Sequence, residues 1–106
     1  MKTYMLFGLH GADLQEARVA VEAALGIRMT LHESSYLGEY FRFDDVGFEG
    51  SEHFILQKNF DDVEGEWAES AFPNYGILLY ANETNRGPEI RDAMASVAQH
   101  LTTQDL

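Results

Sequence analysis

Apolar positions along the chain change their spacing several times, and each change marks an element. Residues 3–9 run Thr-Tyr-Met-Leu-Phe-Gly-Leu and meet His10 and Gly11, the pattern of a largely buried strand closed by turn formers. Asp13 then stands as a helix cap with Glu16 in the capping-box position three residues on. Leu14, Ala17, Val21, Ala24 and Leu25 form an apolar stripe at helical spacing, and Gly26 suits the residue after the C-cap. From Ile27 the period shortens to two: Ile27, Met29 and Leu31 alternate with Arg28, Thr30 and His32, which predicts a strand with one face on the core. Residues 36–43 carry Tyr36, Tyr40, Phe41 and Phe43 and read as a strand, with a bulge or bend at Gly38. Turn formers fill residues 44–51. Strand chemistry resumes over 53–60, where Phe54 and Leu56 face away from Ile55 and Gln57, so the two strands are expected to pair as a hairpin.

Residues 61–74 keep no period and read as a long loop. Residues 76–81, Gly-Ile-Leu-Leu-Tyr-Ala, are the short continuous apolar run of a strand in mid-sheet. Gly87 and Pro88 open a second helix, whose stripe of Ile90, Ala93, Met94, Val97, Ala98 and Leu101 carries it to residue 101, with residues 102–106 fraying. The expected architecture is a single α+β domain over residues 1–106. It has one mostly antiparallel sheet of about five strands and two amphipathic helices on one face, with the other face open or covered by the long loop.

Composition narrows the chemistry. A chain of 106 residues can bury about 60–70% of the surface its unfolded form exposes, enough for one such core. The 45% hydrophobic and 12% aromatic content excludes a disordered chain. Cysteine is absent, which removes disulfides, thiolate metal sites and a cysteine nucleophile. The N-terminal apolar run is too short for a signal peptide or a membrane span, so a cytoplasmic location is expected.

Charge changes the picture most. Seven Lys and Arg against 18 Asp and Glu leave a formal charge of −11. Ten of the acids lie between Glu39 and Glu69, where only Arg42 and Lys58 oppose them. A nucleic-acid binder needs clustered bases to displace phosphate counterions, so that class is disfavoured. Gly47 and Gly50 fit neither phosphate-binding glycine motif. His10, His32, His53 and His100 do not stand at metal-pair spacing, and the Asp61-Asp62-Val63-Glu64-Gly65-Glu66 run lacks the ligand register of a calcium loop, so no metal or cofactor is expected. Ser51, Glu52 and His53, or Glu64 with Glu66, could be nominated for hydrolysis, but adjacency does not make a catalytic set and acids are abundant here. A non-enzymatic protein is the expectation.

Aromatic residues lie among the acids, and Trp67, flanked by Glu66 and Glu69 in the loop, has no strand to bury it. It has the form of an interface anchor ringed by steering charges, or else of a plug over the open sheet face. The small, acidic α+β chain resembles the immunity proteins of bacterial polymorphic toxin and contact-dependent growth inhibition systems. The likeness is strongest over residues 36–81, where Tyr-Leu-Gly-Glu-Tyr-Phe-Arg-Phe and Glu-His-Phe-Ile-Leu-Gln-Lys-Asn-Phe lead through the acidic loop to Phe-Pro-Asn-Tyr-Gly-Ile-Leu-Leu-Tyr. The resemblance implies an inhibitor that occupies the basic cleft of a cognate toxin domain, in some cases a nuclease, by presenting carboxylates where phosphates would lie. The residues expected to meet this basic protein partner are Asp44, Asp45, Glu49, Glu52, Asp61, Asp62, Glu64, Glu66, Trp67 and Glu69. A small ligand-binding or regulatory domain, dimeric through a sheet edge or the uncovered face, is the alternative.

Overall fold

A computed structural model describes residues 2–11, 13–34, 38–44, 52–61 and 64–105. The elements run β1 (Thr3–Leu9), α1 (Leu14–Leu25), β2 (Thr30–Ser34), β3 (Gly38–Asp44), β4 (His53–Lys58), β5 (Phe60–Asp61), β6 (Glu66–Trp67), β7 (Ile77–Thr84), α2 (Gly87–Met94) and β8 (Gln99–Asp105). The fold is α+β, with a main sheet of six strands in the order β2-β3-β4-β7-β1-β8 and a separate ribbon of β5 and β6. Each described pairing is antiparallel.

The expected central strand is β7, held between β4 and β1, and β3 and β4 pair as the expected hairpin. Strand alternation sends Met5, Phe7 and Leu9, Phe54 and Leu56, and Ile77, Leu79 and Ala81 to one face. There they form a single core cluster with Leu14, Ala17 and Val21 of α1 and Ile90 and Met94 of α2. Asp13 caps α1 as its sequence position predicts, its carboxylate accepting the amides of Gln15 and Glu16 at 3.0 and 3.2 Å. Gly26 ends the helix at φ 66, a conformation that costs glycine little.

Three expectations differ from the structure. The strand anticipated from Ile27 starts only at Thr30, because Met29 donates its amide to the Glu22 carboxylate at 2.7 Å rather than to a ladder. The resulting β2 is an edge strand on which Leu31 stays half exposed. The second helix stops at Met94 instead of Leu101. Its periodic Val97 and Ala98 still pack against the core from a turn, and the chain then pairs as β8 along the free edge of β1, so residues 99–105 form a sixth strand rather than a frayed end. Cross-strand bonding to a buried neighbour outweighs helical propensity here. Finally, residues 61–74 are not wholly loop, since they contribute to the β5–β6 ribbon.

The start of β4 is fastened to the start of α2 by a charged clamp. Arg86 Nε and a terminal guanidinium nitrogen donate to the Glu52 carboxylate at 2.8–3.2 Å, and the Thr84 hydroxyl donates to Glu52 Oε2 at 2.7 Å while accepting the Arg86 amide at 3.0 Å. The Glu52 side chain is only 11% exposed and that of Arg86 42%. Removing Arg86 therefore strands a mostly buried carboxylate. Arg86→Met is expected to lower the unfolding free energy by about 2 kcal/mol, less than a fully buried pair because the guanidinium is partly solvated, as read from the urea midpoint at constant slope.

Candidate partner-binding site

Asn59, between β4 and β5, organises the acidic segment. It is completely buried. Its side-chain amide donates to the carbonyls of Phe72 and Tyr75 at 2.9 and 2.8 Å, and its side-chain oxygen accepts the Glu69 amide at 2.9 Å. Its backbone carbonyl takes the Ala68 amide and its backbone N–H donates to Gly76. Residues 68–76 are thereby folded back onto the sheet face opposite the helices. Gly8 makes room for them: a Cβ there would lie 2.5 Å from the Tyr75 ring.

The ribbon projects beyond this anchor. Phe60 pairs with Trp67 and Asp61 with Glu66, and the turn closes through the Gly65 amide to the Asp61 carbonyl at 2.8 Å and the Glu64 amide to the Asp61 carboxylate at 3.2 Å. Gly65 sits at φ 70, as such a turn requires. The Phe60 and Trp67 rings meet edge to face with centroids 4.9 Å apart, and 38% and 40% of these residues remain exposed. A shallow recess of about 140 Å³ opens beside them, lined by Gln57, Asn59, Phe60, Asp61, Glu66 and Trp67 among others.

Seven of the ten anticipated contact residues lie among the described residues, and these separate into four groups. Asp61, Glu64, Glu66 and Trp67 are brought together at the ribbon. Glu69 is drawn back to the sheet, where it accepts the Tyr80 hydroxyl at 2.8 Å. Asp44 lies at the opposite end of β4, some 17 Å away by strand rise, and binds Arg42 through both oxygens at 2.8 and 2.9 Å. Those bonds hold its carboxyl below the usual aspartate value. Glu52 is a correction: it is buried in the Arg86 clamp, not presented to solvent, because burial of a carboxylate this close to the core requires an internal partner. Asp45, Glu49 and Asp62 lie outside the described residues.

The hydrolytic nomination also separates. Glu52 turns to Thr84 and Arg86, whereas His53, the next residue along the strand, faces Asn82 at 3.3 Å and Glu83 at 3.8 Å; Ser51 lies outside the described residues. Among the described residues, no three histidines or carboxylates stand close enough to hold a metal ion.

Sequence reasoning passed over Asn59, Gln57, Phe60 and Tyr80. Phe60 and Trp67 flanking Gly65 was the one available local sign, that of a short hairpin. No protein-family model, curated protein or solved structure matches the chain.

Asn59→Ala removes three side-chain bonds and takes their partner from the Tyr75 carbonyl and the Glu69 amide. It should destabilise the protein by about 2–4 kcal/mol and redden Trp67 emission before global unfolding, measured by fluorescence along a urea titration. Burial, with the neighbouring Glu69 carboxylate, raises the Tyr80 hydroxyl pKa well above 10.0. Because the folded value exceeds the unfolded one, this contribution is complete below about pH 10 and is lost as pH rises above it. Tyr80→Phe is expected to flatten that alkaline loss of stability, measured as melting temperature between pH 8 and 11.

Proposed function

We propose that this chain is an acidic inhibitor of the immunity type, acting in the bacterial cytoplasm without enzymatic activity. In this reading it neutralises a cationic toxin domain through electrostatically steered protein–protein binding. One observation carries the reading. Among the described residues the large exposed apolar side chains are Val19, Leu31, Phe60 and Trp67, and two of these four meet edge to face on the ribbon that also carries Asp61, Glu64 and Glu66. An aromatic pair surrounded by carboxylates supplies both parts of a fast and tight interface: long-range attraction speeds encounter, and desolvated rings slow release. A net charge of −11 supports attraction to a basic cleft of the kind nucleases use.

A small ligand-binding or regulatory domain is the alternative; the ribbon recess, about 140 Å³ and open to solvent, falls short of the roughly 300–1,000 Å³ that such a pocket spans.

Co-expression with the product of the adjacent gene should rescue cells from that product's toxicity and yield a complex that weakens steeply as salt rises. Failure of both rescue and complex formation refutes the proposal. Within such a complex, reversing Asp61, Glu64 and Glu66 to lysine should cut the association rate about tenfold or more with little change in dissociation. Trp67→Ala should mainly accelerate dissociation, by a similar factor. Surface plasmon resonance separates the two, and equal effects on both rates would remove the assigned division of roles.

A further inference from the structure

We infer that the recess beside Trp67 is a subsite for an arginine side chain of the partner, an inference that rests on the proposed cationic-partner reading. The acids alone would attract any cation. What singles out a guanidinium is Gln57. This residue lines the recess and is only 6% exposed, yet its side-chain amide forms no hydrogen bond among the described residues. None of the described buried side-chain polar atoms is sealed from solvent without a partner, so the amide keeps its remaining access through the opening it lines. A nearly enclosed amide with no protein partner can pair with a donor that a ligand supplies.

The surroundings fit a flat, forked donor. The Trp67 and Phe60 rings offer an aromatic surface on which a guanidinium can stack, and arginine is less costly to desolvate there than lysine. Glu66 forms no ion pair or hydrogen bond among the described residues, and it too borders the recess. Five N–H donors in fixed geometry can serve the Gln57 oxygen and the Glu66 carboxylate at once, which a single ammonium does less well. Lys58 also borders the recess, but strand alternation directs its side chain to the opposite side of the sheet from Gln57.

Trp67 is the chain's only tryptophan, so its emission reports on the recess directly. The test titrates blocked hexa-arginine and hexa-lysine peptides into the intact protein at one ionic strength and follows that emission. Hexa-arginine is expected to bind about tenfold more tightly. Gln57→Leu, which keeps the volume, should reduce that advantage to about threefold or less while leaving hexa-lysine affinity unchanged. Glu66→Gln, on the exposed ribbon, should erode the same advantage and serves if the Gln57 variant fails to fold. Equal affinity of the two peptides, or an arginine preference that survives both substitutions, overturns the arginine subsite and leaves the cationic-partner reading standing. No response of Trp67 to either peptide overturns both.

Discussion

The presentation of the acidic ribbon depends on one buried amide. Asn59 leaves the end of β4 where a strand would ordinarily hand its backbone groups to solvent, and its side chain instead supplies two donors and an acceptor to residues 68–76. A buried asparagine is tolerated only when its polar atoms are paired, and here the pairing is made across 10 to 16 residues of sequence. The result is a segment without regular periodicity that nevertheless has a defined path over the second face of the sheet. The ribbon is held at its base by that path, and its two aromatic rings are kept outside.

This arrangement decides what the protein's charge can do. A surplus of carboxylates in solution is a diffuse field. Carboxylates carried on the same ribbon as the edge-to-face Phe60–Trp67 pair become a local feature. Other acids are withdrawn from that role by internal partners: Glu52 by Arg86 and Thr84, Asp44 by Arg42, Glu69 by Tyr80. The same residue type therefore serves as clamp, surface ion pair and exposed charge, and burial and neighbouring donors distinguish the three.

The C-terminal segment shows local preference giving way to global pairing. The apolar stripe after Gly87 is helical in period as far as Leu101, yet the helix is only eight residues long. Central β1 would otherwise have one edge unpaired beside the core. The seven residues of β8 satisfy that edge, and His100 lies edge to face on the buried Phe7 ring at 5.5 Å. Val97 and Ala98 keep their apolar contacts from the intervening turn, so shortening the helix sacrifices little burial.

The fold class, the buried β1, the capped α1, the β3–β4 hairpin and the central β7 were all legible in the chain, because each rests on periodicity or on a cap within a few residues. The concentration of acids was legible directly from the chain, whereas Trp67, expected in a loop without a strand, lies in the ribbon strand paired with Phe60. Tertiary structure alone decided that Glu52 is internal, since Arg86 lies 34 positions away, and that Trp67 meets Phe60 edge to face at a recess that Gln57 also lines. Such facts depend on where strand register and a single buried asparagine bring distant residues, and no local spacing encodes that distance.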